Sequence, residues 1–189
     1  MRIRRLALAA GLACLLGASA AYAVTLTGTN GADSLFGTTS ADVIDAKGGT
    51  DIVFGLSGDD RLKGGGGGDT IHGDALCPAG SKDPETCDQT RGTGDDVISG
   101  NAGDDVIAGG RGADRISGGT GIDNIQGGTG SDDITPGLGR DEIFAGSGND
   151  VVHARDDLRD IIDCGTGRDS VVADRNDRVA RNCERVRRG

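Results

Sequence analysis

The chain is 189 residues long, with 36 glycines, 2% aromatic residues and no tryptophan, so it lacks the large side chains that fill an ordinary globular core. Its 30 acidic against 20 basic residues give a formal charge of −10, which excludes nucleic acid as a natural ligand, because affinity for a phosphate backbone comes mainly from Lys and Arg. Cations are the partners that this composition favours.

Residues 1–23 read as an export signal. Arg2, Arg4 and Arg5 form a basic start, Leu6 to Leu16 is apolar, and Ala21-Tyr22-Ala23 is a small-x-small cleavage site before Val24. The apolar run is short for a membrane span and no second one follows, so the expectation is a secreted, extracellular chain with no transmembrane segment once the signal is removed. Cys14 falls within the signal. Four cysteines remain, Cys77, Cys87, Cys164 and Cys183, an even number that favours disulfides in an exported protein. Of the three possible pairings, the local one joins Cys77 to Cys87 and Cys164 to Cys183.

Written nine residues to a row, residues 28–72 and 91–153 resolve into repeats such as GGGGGDTIH (64–72), GNAGDDVIA (100–108) and GGTGSDDIT (127–135). The sixth place of each row is aspartate: Asp33, Asp42, Asp51, Asp60, Asp69, Asp96, Asp105, Asp114, Asp123, Asp132, Asp141 and Asp150. The eighth is always Leu, Ile or Val. A segment such as Asp96-Val97-Ile98 predicts a short strand whose period of two turns the aliphatic side chain inward. The six glycine-rich residues between strands are expected to turn the chain, since glycine allows positive φ and close backbone approach.

These rows match GGxGxDxUx, and the chain resembles the RTX family, the haemolysin-type calcium-binding repeats. The resemblance implies an all-β fold, a right-handed parallel β-roll in which two rows make one turn and residues eighteen apart stack. Leu35 then lies on Val53 and Ile71, and Ile98 on Ile116, Ile134 and Val152. It also implies calcium as the bound ion, held between successive turns by the twelve aspartates and by backbone carbonyls. The candidate pairs are Asp33/Asp51, Asp42/Asp60, Asp51/Asp69, Asp96/Asp114, Asp105/Asp123, Asp114/Asp132, Asp123/Asp141 and Asp132/Asp150. Calcium also suits the donors, because it takes carboxylate and carbonyl oxygens in irregular geometry, whereas zinc wants His or Cys and magnesium a strict octahedron. Unneutralised, the stacked aspartates repel, so the fold is expected to depend on the ion. Ser40, Pro136 and Ala145 replace glycines and are expected to weaken the sites that use Asp42, Asp141 and Asp150.

The domain reading is a first block at 24–72, an insertion at 73–90, a second block at 91–163 and a C-terminal cap at 164–189. The insertion contains Pro78, Pro84 and a charged Lys82-Asp83-Glu85 set, and reads as a loop closed by Cys77–Cys87, with the flanking blocks abutting, in preference to a degenerate extra turn. After Asp150 the period slips by one, with Asp160 and Asp169 echoing the pattern. Val171, Val179 and Val186 are expected to cover the last hydrophobic layer, fastened by Cys164–Cys183.

No catalytic constellation stands outside the repeat, so no enzyme activity is expected. His72 and His153, at the ninth place of their rows, are expected to face solvent, and Gly64–Gly68 is followed by neither Lys-Ser/Thr nor a helix, as a phosphate loop would require. The function expected is a secreted calcium-binding repeat protein with a structural or interaction role and a protein or matrix partner of unknown identity. The alternatives are a surface adhesin, an ice- or matrix-binding protein, or the relic calcium-binding module of a secreted hydrolase. The seventh-place residues mix Ser34, Ile52, Arg61, Val97, Asn124 and Glu142, unlike the single-residue ladder that lattice matching needs.

Overall fold

The computed structural model describes residues 22–75 and 92–189, so the expected Cys77–Cys87 bond and the signal up to Ala21 lie outside the described residues. The chain coils as a flattened solenoid between two nine-stranded parallel sheets. The first sheet contains β1 (Thr25–Thr27), β3 (Val43–Asp45), β5 (Arg61–Gly66), β7 (Val97–Ala102), β9 (Arg115–Thr120), β11 (Asp133–Leu138), β13 (Val151–Ala154), β16 (Ser170–Ala173) and β18 (Arg185–Arg188). The second contains β2 (Ser34–Phe36), β4 (Ile52–Leu56), β6 (Thr70–Asp74), β8 (Val106–Arg111), β10 (Asn124–Thr129), β12 (Glu142–Gly148), β14 (Ile161–Asp163) and β17 (Arg178–Val179), with β15 (Thr166–Gly167) paired to β12. This is the all-parallel β-roll that the repeat implies.

The eighth-place aliphatics form two continuous inward columns. Leu35, Val53, Ile71, Ile107, Ile125, Ile143 and Ile162 stack in one sheet, and Ile44, Leu62, Ile98, Ile116, Ile134, Val152 and Val171 in the other. Nearly all are excluded from solvent, and each contributes about 1.5–3 kcal/mol by that burial.

Strands in the second block are longer than the three residues expected. β8, for example, takes in the first three residues of the next row, Gly109, Gly110 and Arg111, and its alternation turns both Ile107 and Gly109 inward. The first place of a row therefore faces inward, where the roll carries glycine, Ala46, Ala145 and the buried Pro136. The sharp turn is confined to the fourth to sixth places, where Gly112 has φ 135°. Most second places also take positive φ, which Leu56 adopts at 91° despite its side chain.

The interruption does not break the roll. β5 pairs with β7 and β6 with β8, so Leu62 stacks on Ile98 and Ile71 on Ile107 across the gap. Strand β6 runs on through Gly73 and Asp74, which supply the first two places of a turn that Thr93, Gly94, Asp95 and Asp96 complete. The extra residues are thus spliced into the tip of one turn.

The C-terminal segment is built as further coils. β17 and β18 pair with β14 and β16, Val179 packs partly buried against the core, and Val186 stacks on Val171 while remaining 39% exposed. Cys164 and Cys183, both buried, form a disulfide that ties β14 to this end.

Candidate metal centre: two carboxylate ladders

All twelve sequence-selected aspartates point into the two edges of the roll, in two columns. One runs Asp33, Asp51, Asp69, Asp105, Asp123, Asp141; the other runs Asp42, Asp60, Asp96, Asp114, Asp132, Asp150. The eighteen-residue pairs read from the sequence are all present. Because the two blocks abut, Asp60/Asp96 and Asp69/Asp105, each 36 residues apart and not among those pairs, are also neighbours in the same columns. Phase alone could not reveal this, since splicing in two rows' worth of chain leaves the ninefold register unchanged.

Each rung is held by one repeated hydrogen bond. The backbone N–H of an aspartate donates to Oδ1 of the aspartate one turn further on, as from Asp114 to Asp132 at 2.9 Å and from Asp69 to Asp105 at 2.7 Å. The columns continue beyond the residues chosen from the sequence. Asp141 donates to Asp160 and Asp150 to Asp169, each across 19 residues, which absorbs the one-residue slip. Asp160 then donates to Asp177, and Asp169 to Glu184. Asp160 and Asp169 were legible as echoes of the repeat, whereas Asp177 and Glu184 stand off its period.

The second carboxylate oxygen carries the chemistry. Oδ2 of Asp51, Asp60, Asp69, Asp96, Asp105, Asp114, Asp123, Asp132, Asp141, Asp150, Asp160 and Asp169 is buried without a hydrogen-bond partner among the described residues. An unsatisfied buried polar atom costs about 1–3 kcal/mol, and more when charged, so a dozen in register demand a counter-ion or a proton. The first two rungs differ. Oδ2 of Asp33 accepts from Thr29 N–H at 2.6 Å and Thr29 Oγ1 at 2.9 Å, and Thr38 N–H fills the same place on Asp42.

A glycine opens the space beside each orphan oxygen along most of the roll. A Cβ on Gly109 would overlap Asp114 Oδ2 and stand 2.7 Å from the Gly127 carbonyl oxygen of the next turn. Gly100 repeats this with Asp105 and the Gly118 carbonyl at 2.7 Å, and Gly55 with Asp60 and the Gly73 carbonyl at 2.6 Å. Where the neighbour is Pro136 or Ala145, its carbonyl still serves, toward Asp123 beside Gly118 and toward Asp132 beside Gly127. Each cradle thus brings a carboxylate oxygen and a backbone carbonyl oxygen together with no carbon between them. Hard oxygens of both kinds are the donors that calcium takes. Among the described residues no three His, Cys, Asp or Glu side chains converge on one point, the arrangement an all-side-chain site would need.

The electrostatics agree with the geometry. Burial is the main force raising the ladder carboxyls, the donated N–H opposes it, and the charges of neighbouring acids add to it. Asp60, Asp105, Asp114, Asp132 and Asp160 are pushed up to about 7, Asp123 to about 6 and Asp96 to about 8. Asp51, Asp69, Asp141 and Asp150 are raised by the same burial. No Lys or Arg among the described residues pairs with a ladder carboxylate; the ion pairs there are Lys47–Asp45 at 2.6 Å and Arg115–Asp133 at 3.8 Å.

Protein-family comparison matches residues 27–62, 45–75, 92–116, 109–143, 117–152 and 136–171 to the RTX calcium-binding nonapeptide repeat (4 copies), together more than half of the chain. The chain belongs to this RTX family. No curated protein matches it in sequence. The Asp-rich turns of this RTX roll are those typical of calcium-binding repeats, and such repeats are typically extracellular and structural. No helix among the described residues is long and apolar enough to cross a membrane.

The histidines separate. His153 is half-exposed with Nε2 3.5 Å from Asp133. His72, expected at the surface, is instead only 8% exposed and stacks on Phe54 at 4.9 Å between ring centroids, with Phe54 in turn on Phe36 at 5.4 Å. Ninth-place side chains do leave the sheet on its outer side, but Phe54, on which His72 stacks, is itself buried in an apolar cluster with Ala75, Phe36, Ile52 and Leu56, and the burial of the imidazole lowers its pKa.

Proposed function

We propose that the RTX roll of this chain is a calcium-binding structural element of a secreted protein, with Asp33 to Asp150 of the repeat, joined by Asp160 and Asp169, as its carboxylate ligands. The observation that supports this best is the two columns of buried Oδ2 atoms, most of them beside a glycine-cleared carbonyl oxygen and none facing a cationic side chain among the described residues. Calcium supplies divalent charge and a flexible shell of about six to eight oxygens, which one carboxylate and several carbonyls from adjacent turns can fill.

Within this reading the ladder aspartates have two duties. Oδ1 aligns each turn on the next through the donated N–H, and Oδ2 offers charge to the ion. Binding energy then becomes folding energy, because the ligand set exists only when successive turns are stacked. The leader at 1–23 supports export to a compartment where calcium is plentiful. The outward rungs pair unlike residues, such as Thr70 with Val106 and Asn124 with Glu142, which counts against a lattice-matching ice or crystal surface.

Far-UV circular dichroism of the chain, exhaustively freed of metal near neutral pH and then titrated with calcium, tests the proposal. The expected result is a large gain of β signal on adding calcium. A β spectrum unchanged by chelation would overturn it.

A further inference from the structure

Asp74 is an acidic side chain of the roll that belongs to neither ladder. It sits at the second place of the spliced turn, in register with Leu56 of the turn before, and Gly110 follows it in the turn after. Its Oδ2 accepts the N–H of Arg111 at 2.8 Å. The residue is 2% exposed, and its Oδ1 is buried without a hydrogen-bond partner among the described residues. Room for it is made by glycine on two sides, since a Cβ on Gly110 or Gly92 would run into the Asp74 Cβ, the latter at 2.6 Å. A carboxylate has therefore been placed where the repeat otherwise carries Gly, Leu, Asn, Thr or Lys, and one of its oxygens has no hydrogen-bond partner among the described residues.

Its surroundings are acidic. Beside it in the same edge lie the rungs Asp60, Asp96 and Asp114, whose Oδ2 atoms are also unpartnered, and Asp74 adds its charge to the burial that already raises all three. Asp59 and Asp95 stand outside these rungs, linked by the Asp95 N–H donating to Asp59 Oδ1 at 3.1 Å. Burial raises the Asp74 carboxyl to about 6, and Arg111, the facing cation, opposes this through its N–H and its charge without closing an ion pair among the described residues. The same turn keeps a full cradle: a Cβ on Gly73 would overlap Asp96 Oδ2 and meet the Gly109 carbonyl oxygen.

We infer that the spliced turn, Gly73–Asp74 with Thr93–Asp96, is the tightest cation seat on the roll and that Asp74 supplies the additional carboxylate that makes it so. The inference rests on the calcium reading above and goes beyond the repeat pattern, in which the second place contributes no carboxylate. Its consequence is order. Calcium enters first at the splice, where the two halves of the roll are joined through the least continuous backbone, and fixes their register before the other rungs fill.

The test is a calcium titration by calorimetry of the full chain, the Asp74→Asn variant and an Asp133→Asn control that removes an exposed carboxylate from β11. Asparagine keeps the shape of Asp74 and an acceptor for the Arg111 N–H. The expected result is that Asp74→Asn weakens the tightest binding phase about tenfold, as one charge near a divalent ion does at partly screened distance, and leaves the later phases and the control unchanged. Superimposable wild-type and Asp74→Asn curves, or equal weakening by Asp133→Asn, would overturn the inference while leaving the calcium reading intact. Absence of calcium binding to the wild-type chain would overturn both. Circular dichroism at saturating calcium completes the test: an Asp74→Asn variant that never reaches the wild-type spectrum would assign Asp74 a packing role and reject the inference.

Discussion

Replacing Gly109 by alanine separates the demand of the site from the demand of the backbone. Gly109 is not among the glycines with positive φ, so alanine meets no conformational penalty there, yet its methyl would overlap Asp114 Oδ2 and crowd the Gly127 carbonyl oxygen. Gly66 is the matched control, with its φ likewise outside the positive range and nothing within 4 Å of an added Cβ. Overpacking costs about 1–3 kcal/mol. The fully buried Ala46 and Ala145 at the same place of their rows show that the inward lane admits a methyl, which sets the cost of Gly109→Ala near the lower figure. Gly66→Ala should stabilise by about 0.4–1 kcal/mol through the unfolded chain. In urea unfolding at saturating calcium the two variants should therefore move in opposite directions, about 2 kcal/mol apart. Calorimetry should show Gly109→Ala losing one bound ion and Gly66→Ala losing none. Equal midpoints and equal stoichiometry would refute the cradle as the reason for glycine at the first place.

Two further outcomes follow from the ladders. In metal-free protein the carboxyls of Asp60, Asp96, Asp105, Asp114, Asp132 and Asp160 lie at about 7–8, above their unfolded values, so their contribution to stability is complete below about pH 4 and is lost as pH rises through 7–8. The urea midpoint without calcium should consequently be higher at about pH 5.5 than at about pH 8, and a higher midpoint at the alkaline end would contradict the assignment. Asp114→Ala should also cost far more than Asp33→Ala, about 1–3 kcal/mol against less than 1, because it strands the Asp96 N–H and removes an ion ligand, whereas Asp33 accepts only from Thr29. Calcium titration and urea unfolding of both variants check this, with equal losses as the contrary result.

The parts of the fold that were legible in the sequence are those carried by exact recurrence. An aspartate at every sixth place and an aliphatic at every eighth fixed the stacking of Leu35 on Val53 and of Ile116 on Ile134, because the roll repeats the same contacts that the sequence repeats. What escaped is what departs from the period. Gly73 and Asp74 belong to a turn whose remainder lies many residues later, so in linear sequence they look like the start of a loop. Asp177 and Glu184 do a rung's work from irregular spacing. The inward place of Gly109 was also hidden, since glycine reads as turn whether it is selected for φ or for the absence of a side chain. His72 was misjudged because the second apolar cluster outside the main core, Phe54 and Ala75 with Phe36, Ile52 and Leu56, draws on residues beyond the ninth places, and only the Phe36–Phe54–His72 stacking recurs at the eighteen-residue period.

The direction of the Asp-to-Asp hydrogen bond gives the roll a polarity. Along the two ladders every donating aspartate belongs to the earlier turn and every accepting one to the later, so the ladder N–H of each coil is satisfied by the coil that comes after it. The structure behaves like a filament with a passive and an active end. At the passive end the carboxylates are quenched by threonine, and at the active end Asp177 and Glu184 accept the final donors, with Asp177 Oδ2 itself taken by the Asp174 N–H at 2.6 Å. A chain that folds in the order of its synthesis would carry an open, growing front until those two acids arrive. The ladders thus close on a different chemistry in the last coils, where Asp177 and Glu184 accept beside Val179 and Val186 and the Cys164–Cys183 bond ties that end to the roll.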